Sequence, residues 1–295
     1  MASFIEMVKT GKPLVSDGAW GTFLHEKGLQ PGECPEEWNV SHREDVLDIA
    51  RSYIEAGADM IETNSFGGNP FKLENFNLKE RTSELNEAAA AISRQAAGTD
   101  HFVLGSIGPT GKMLIMGDVT DNDLYEGFQI QAEALERGGA DAIIVETMSA
   151  LDEAVLAVKA AKDHTGLPVI CTMTFEQTVD GGFKTMMGVS VADMVHEMQK
   201  LGTEVIGANC GNGMSHMVDV VREIRTIDEK IPVLIHANAG MPVLQDGHTV
   251  FPETPSETSS HVLRLMEAGT QIVGGCCGTT PAHIRAIAEE VKRLI

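Results

Sequence analysis

The 295-residue sequence predicts a closed (β/α)8 barrel of the TIM type, with one domain over residues 1–295. Three observations predict this fold: eight short apolar runs, helix-like segments between them, and a sequence motif that recurs where a predicted helix is followed by a strand. Strands buried on both faces are expected to be almost continuously apolar. An open doubly wound sheet is the alternative, and it is less favoured because no G-x-G-x-x-G opening or second domain is recognisable.

Each of the eight apolar runs has Gly, Asn, Ser or Thr at or near its carboxyl end, as short buried strands do. The segments between them have the 3.6-residue period of helices; for example, Leu151, Val155 and Val158 fall on one stripe. The predicted strands are residues 13–18, 59–66, 101–108, 142–148, 167–175, 204–211, 232–240 and 271–278.

Four predicted helix-to-strand junctions have similar sequences: EAGADMIETN, RGGADAIIVET, KLGTEVIGANC and EAGTQIVGGCC. Glycine commonly ends a helix because it adopts the left-handed conformation without a Cβ penalty. Each junction therefore predicts a helix that stops at glycine and a strand that begins within three residues. Eight such units running in one direction favour the closed barrel.

Composition excludes several classes of function. The chain has 22 Lys and Arg against 43 Asp and Glu, a formal charge of −21, so we expect no nucleic-acid partner. No apolar run reaches the roughly 18 residues of a membrane span, and the first residues lack the apolar core of a signal peptide. Five cysteines, an odd number, do not resemble a secreted disulfide framework. We therefore expect a cytoplasmic protein without a membrane partner.

Chemically active side chains collect where the predicted strands end. In a barrel these ends share one face, and that face carries the chemistry. The side chains are those of Asp17, Glu62, Asn64, Glu146, Cys210, Asn238, Cys276 and Cys277.

Three of the five cysteines lie at the ends of the sixth and eighth predicted strands. Cys210 and the adjacent Cys276 and Cys277 can converge there, since these strands flank the seventh. A disulfide between neighbours is strained, whereas zinc takes sulfur ligands at about 2.3 Å and keeps an open position when the protein supplies three. Flanking glycines would let both adjacent thiols turn toward one Zn2+ ion. The alternative is that all three are small buried side chains, as we expect for Cys34 and Cys171.

At these residues the chain resembles the homocysteine S-methyltransferase family, and within it the homocysteine-binding domain of cobalamin-dependent methionine synthase. The resemblance covers nearly the whole chain. It rests on SDGAWGT (16–22), EAGADMIETNSF (55–66), GSIGPTG (105–111), VETMSALDEA (145–154), GANCGNG (207–213), HANAGMP (236–242) and GGCCGTTPAHI (274–284).

The resemblance implies a set of site residues. It implies that the zinc ligands are Cys210, Cys276 and Cys277. Asp17 and Glu146 would hold the amino-acid end of homocysteine, and backbone groups near Gly18 and Ala19 would meet its carboxylate. The predicted substrate-binding set is Asp17, Gly18, Ala19, Glu146 and Asn238, of which Asn238 or water could also fill the fourth zinc position.

The expected activity is zinc-dependent methyl transfer to the thiol of homocysteine, which forms methionine. A free thiol titrates near pH 8.5 and is a poor nucleophile at pH 7, but a bound metal deprotonates it. Methionine synthase has folate-binding, corrinoid-binding and activation modules that do not follow this barrel. We therefore expect methylcobalamin on a separate corrinoid protein as the donor, with the long loop 238–258 at its docking surface.

Three alternatives stay open at this stage. One is a corrinoid-partnered demethylase component with another donor or thiol acceptor, and another is a zinc-holding barrel without activity. The third is a corrinoid-independent enzyme that uses S-methylmethionine or betaine. Betaine is less favoured because a quaternary ammonium needs an aromatic cage and the chain has only two Trp and two Tyr.

The sequence departs from the family pattern at Trp20. Methionine synthases usually carry a smaller apolar residue at this position, so the tryptophan would alter the pocket floor.

Overall fold

The structure is a computed structural model that describes residues 3–245 and 248–294. Each predicted strand segment contains a strand of one parallel sheet, so the predicted barrel is confirmed. We number these barrel strands β1 (Leu14–Val15), β2 (Met60–Glu62), β3 (Phe102–Ile107), β4 (Ala142–Met148), β5 (Val169–Met173), β6 (Val205–Gly213), β7 (Val233–Asn238) and β8 (Ile272–Gly275). Neighbours in the chain pair in parallel from β2 to β8, and β8 then pairs with β1.

Asp59 closes the barrel between β1 and β2. Its backbone N–H donates to the carbonyl of Val15 at 2.7 Å. Its carboxylate accepts the N–H of Val15 at 2.8 Å, so one residue serves both backbone polar groups of Val15.

The recurrent helix-to-strand junctions contain a glycine that ends the helix and, in most of them, an acidic residue that contacts the preceding strand. As predicted, each glycine caps a helix in the left-handed conformation, at Gly57, Gly139, Gly202 and Gly269. In three of the four junctions the residue two positions later is acidic and accepts a backbone N–H of the preceding barrel strand, a role that sequence analysis did not assign. These pairs are Asp59 with Val15, Asp141 with Val103 and Glu204 with Val169, each at 2.8 Å.

Helices surround the strands and bury the outer face of the sheet. In the described residues they are α1 (Phe4–Lys9), α2 (Gly21–Lys27), α3 (Trp38–Ser41), α4 (Arg43–Ala56), α5 (Pro70–Glu74), α6 (Thr82–Ala97), α7 (Asp121–Gly138), α8 (Leu151–His164), α9 (Val191–Leu201), α10 (Met214–Ile227), α11 (Pro255–Ser259), α12 (Val262–Ala268) and α13 (Pro281–Leu294), with 3-10 turns at Pro35–Glu37, Lys79–Arg81 and Leu114–Met116. None of them is both long and apolar enough to cross a membrane.

The amino-terminal end of the barrel is filled and closed. Apolar side chains from all eight strands form one buried cluster inside it, and α1 adds Phe4 and Val8. The rings of Phe4 and Phe102 meet edge to face with centroids 5.7 Å apart. Since this end is packed, any ligand must enter from the carboxyl end of the strands.

The loop after β7 stands at that open end. It contains a hairpin of Val243–Gln245 and His248–Val250, and residues 246 and 247 between them lie outside the described residues. Both ends of the loop meet at Ala239, whose carbonyl accepts the N–H of Glu253 and whose N–H donates to the carbonyl of Cys277, each at 3.0 Å. The predicted mouth segment is therefore joined directly to the cysteine pair.

Candidate metal centre and substrate cavity

The structure brings the three predicted cysteines together at the carboxyl ends of β6 and β8. The Sγ atoms of Cys210, Cys276 and Cys277 all lie within 4.8 Å of one another. Sulfurs at about 2.3 Å from a tetrahedral zinc ion are roughly 3.8 Å apart. The three sulfurs can therefore meet one metal ion after a small adjustment.

The two adjacent cysteines lie just beyond β8, in a turn, so strand alternation does not force them apart. The turn is closed by Thr279, whose N–H and hydroxyl both donate to the carbonyl of Cys276, at 3.1 and 2.7 Å. Gly278 has a φ of 78° in this turn. A Cβ there would stand 2.2 Å from the Cβ of Phe251, so the turn needs glycine for its conformation and for the space.

Strained backbone surrounds the site. Cys210 has a φ of 59° and Thr147, which follows Glu146, has a φ of 60°, and a β-branched residue rarely adopts that conformation. Both lie at strand ends where the pairing register shifts. Such strain costs about 1–3 kcal/mol per residue and persists where surrounding contacts fix it, often at functional sites.

Asn209 supplies those contacts, although sequence analysis did not single it out. Its Oδ1 accepts the N–H of Thr147 at 2.8 Å and the hydroxyl of Thr172 at 2.7 Å. Its Nδ2 donates to the hydroxyl of Thr147 at 2.7 Å and to Oε2 of Glu146 at 3.2 Å. Since Asn209 directly precedes Cys210, one buried amide links the acidic side of the site to a candidate metal ligand.

The chemistry of the sulfur cluster favours a cation. The thiols of Cys276 and Cys277 hydrogen-bond to Cys210 and hold the pKa of Cys210 below its ordinary value, with a contribution from the side chain of Asn238. The pKa values of Cys276 and Cys277 are raised in return, first by their hydrogen bonds to Cys210, then by burial and by the repulsion that a further thiolate would meet. Three thiolates can coexist here only around a positive ion. Oδ1 of Asn238 is also buried and has no hydrogen-bond partner in the part of the chain that the structure describes, so this donor set fits zinc.

A cavity of about 300 Å3 opens onto the three cysteines. Gly18, Ala19 and Glu146 line it, as the resemblance implies. Trp20 and Phe66 add apolar wall. The cavity is large enough for a small amino acid and mixes apolar surface with a few polar groups, as ligand sites do.

Glu146 is the buried acid of this wall. Ser106 donates its hydroxyl to Oε1 at 2.5 Å. Burial, followed by the nearby charge of Glu62, raises the pKa of Glu146 to about 8. A cationic group that enters the cavity would restore the charged form, because it replaces the lost hydration with an opposite charge.

Two members of the predicted substrate-binding set lie behind the wall. Asp17 and Asn238 are 1% and 3% exposed and do not line the cavity. Glu62, which sequence analysis placed at the mouth without a defined role, does line it. His236 also lines it and is buried.

The remaining cysteines behave as predicted. Cys171 is fully buried in β5, and burial raises the pKa of its thiol to about 12. Cys34 is buried in the loop after β1, where its thiol donates to Glu36 at 3.3 Å.

Fold and site together define a barrel protein with a thiol-rich candidate metal centre beside an acidic cavity. The profile of the family described as homocysteine S-methyltransferase matches residues 14–291, and the chain belongs to this family.

Relatives and solved structures agree with that assignment. The chain is 34% identical over 306 aligned residues to a methionine synthase of Mycobacterium tuberculosis H37Rv, covering 97% of this chain and 25% of that protein. It is 34% identical over 299 residues to the Mycobacterium leprae methionine synthase, covering 95% and 24%. The chain thus spans about a quarter of the length of these relatives.

The solved structures show the shared fold. The metallated form of the Escherichia coli homocysteine methyltransferase MmuM superimposes with a TM-score of 0.79 at 20% identity, over 96% of this chain and 98% of that one. A methyltransferase from Methanosarcina mazei superimposes with a TM-score of 0.63 at 12% identity, over 96% and 94%.

Proposed function

We propose that this chain is a zinc-dependent methyltransferase that moves a methyl group to the thiol of homocysteine and forms methionine. The observation that carries the proposal is the convergence of three cysteine sulfurs on the wall of a cavity that also holds buried acidic residues. Membership of the homocysteine S-methyltransferase family supports the same acceptor. Cys210, Cys276 and Cys277 are the proposed zinc ligands.

The chain's own groups would fix the amino-acid end of homocysteine. Glu146 offers a buried carboxylate, aligned by Ser106, for the ammonium group. The N–H of Ala19 already donates to the hydroxyl of Thr279 at 3.1 Å. The backbone of Gly18, on the cavity wall, is therefore the better candidate for the substrate carboxylate.

The thiol end would point at the three cysteines, which line the cavity at the carboxyl ends of β6 and β8. Zinc bound there supplies the positive charge that keeps the substrate thiol deprotonated at neutral pH. Asn209 and the turn closed by Thr279 hold Cys210 and Cys276 in place. The protein thereby positions the reacting sulfur and excludes water from it.

We further propose that the methyl donor is a separate methyl-corrinoid protein that docks over the cavity mouth. Relatives named methionine synthase support a corrinoid donor. Exposed apolar side chains support docking, because clustered apolar surface marks sites of protein interaction. Most of the large ones lie in loops that follow barrel strands β3, β5 and β7: Met113, Ile115, Met116, Val179, Met186, Met187, Met241, Val243, Leu244 and Val250.

A donor screen tests this function. Zinc-loaded protein is incubated with homocysteine and one donor at a time, and methionine is measured. Free methylcobalamin should support slow methylation, because it presents the same carbon–cobalt bond without the protein contacts. Methyltetrahydrofolate alone should not react, since its methyl group sits on a poor nitrogen leaving group.

The screen also separates the alternatives. Rapid turnover with S-methylmethionine or betaine and none with methylcobalamin would place the protein among corrinoid-independent enzymes. Methyl transfer to another thiol but not to homocysteine would overturn the proposed acceptor. The Cys276→Ala protein is the matched control for reaction without the metal centre.

A further inference from the structure

Glu62 is a buried carboxylate in the cavity wall, and one of its two oxygens has no hydrogen-bond partner among the described residues. Its side chain ends β2, is 8% exposed and lines the cavity wall. Oε1 is buried and has no hydrogen-bond partner among the described residues. His236 Nδ1 lies 3.2 Å away but is not aligned for a hydrogen bond, and His236 Nε2 has no partner either. Because the Glu62 carboxylate lines the cavity and receives little hydrogen bonding from the protein, a cation in the cavity would stabilise its charged form.

Asp17 is arranged in the opposite way. Its Oδ2 accepts the indole N–H of Trp20 at 2.8 Å and the backbone N–H of Glu62 at 2.9 Å. Its Oδ1 accepts the hydroxyl of Ser16 at 3.2 Å. The carboxylate therefore has protein partners on both oxygens and lies outside the wall. Its contacts fix Trp20 and the end of β2, and thus the position from which Glu62 reaches the cavity.

Glu62 and Glu146 face the same space. Both line the cavity, and the charge of Glu62 is one of the causes that raise the pKa of Glu146. Two buried carboxylates close together repel each other, and a cation between them removes that cost. A primary ammonium has three N–H donors, so it can serve Glu62 and Glu146 together and leave one for another acceptor.

We propose that Glu62 is a substrate-contacting residue that shares the ammonium group of homocysteine with Glu146, while Asp17 is a positioning residue behind it. This inference rests on the proposed function, because it takes homocysteine as the acceptor. It assigns to Glu62 the contact that the family resemblance implies for Asp17. It also predicts that the site selects ligands with a free amino group.

The test compares two ligands that differ in that group. Zinc-loaded wild type, Glu62→Gln and Asp17→Asn are titrated by calorimetry with L-homocysteine and with 4-mercaptobutanoate, which lacks the amino group. Glu62→Gln should weaken homocysteine binding about tenfold or more and leave 4-mercaptobutanoate unchanged or tighter. Asp17→Asn should weaken both ligands by a similar factor, because it loosens the wall.

Controls separate this result from misfolding and from failure of the proposed function. Zinc content and circular dichroism must match wild type in both variants, and Glu153→Gln, a buried acid outside this cavity, should bind both ligands normally. Selective loss of homocysteine in Asp17→Asn with none in Glu62→Gln would overturn this inference alone. An equal loss of affinity for both ligands in Glu62→Gln would also overturn this inference. Zinc-loaded wild type that binds no homocysteine would overturn the proposed function and this inference together.

Discussion

The two ends of the barrel are built in different ways. At the amino-terminal end, apolar side chains and α1 fill the interior, and acidic residues of the recurrent junctions pair with the starts of the strands. At the carboxyl end, several buried polar atoms lack partners, and Cys210 and Thr147 have strained backbone. Regular packing at one end supplies stability, which lets the other end keep groups that would destabilise a simple core.

The largest effect should come from removing a proposed metal ligand. Replacing Cys276 with alanine should abolish most zinc binding and activity, because two sulfurs cannot complete the site. Far-UV circular dichroism should stay close to that of wild type, since the packed end of the barrel is untouched. Metal content is measured by mass spectrometry, with Cys171→Ala as the control that keeps its zinc. Full zinc occupancy in Cys276→Ala would contradict the proposed ligand set.

A substitution at the opposite end should affect stability and spare the site. Phe102→Ala removes a ring that packs edge to face against Phe4, and it should lower the free energy of unfolding by about 3–5 kcal/mol. Zinc affinity should not change. Urea unfolding measures the free energy of unfolding, and metal titration measures the zinc affinity. Phe66→Ala, whose side chain is 40% exposed at the mouth, should cost about 1 kcal/mol or less.

Within the cavity, Glu146→Gln should weaken homocysteine binding without releasing zinc. Loss of one buried charge-assisted hydrogen bond costs about 1.5–3 kcal/mol, which is roughly tenfold or more in affinity. Calorimetry on zinc-loaded protein gives the dissociation constant. An affinity equal to that of wild type would remove Glu146 from the substrate site.

The smallest effect is a pH dependence. Since the pKa of Glu146 is raised to about 8, the free protein carries a proton there at neutral pH that must leave when an ammonium group binds. Affinity should therefore rise with pH, about fivefold between pH 7 and 8. L-methionine, which has no ionisable thiol, is the ligand to use. The Glu146→Gln protein should show a much flatter profile, and an affinity for methionine that falls over this range in wild type would contradict the assignment.

Local patterns made the fold predictable. Apolar runs, glycine caps and helical periodicity depend on residues close in sequence, and all eight strands and four caps follow them. The helix stripe through Leu151, Val155 and Val158 packs against the core, as predicted. Val158 is buried, but Leu151 and Val155 are only partly so, because α8 packs between α7 and α9 through small residues such as Ala154, Ala157 and Ala161.

The site was predictable where a rare residue marks it and not where ordinary residues support it. The cysteines stood out because there are only five in the chain. Asn209 and Ser106 gave no such signal, since their importance comes from contacts with Thr147 and Glu146 that lie far away in sequence. The turn that carries Cys276 was expected as a bent strand, but β8 ends before it.

Gly278 and Phe251 limit how this protein can vary. The two residues are separated by a whole helix-containing segment, yet a side chain at one would overlap the ring of the other. Replacing the glycine therefore requires a smaller residue at position 251, and a smaller residue there would leave the cysteine turn less supported. Random mutation would seldom produce both changes at once, so the mouth loop and the cysteine turn are bound to change as a pair.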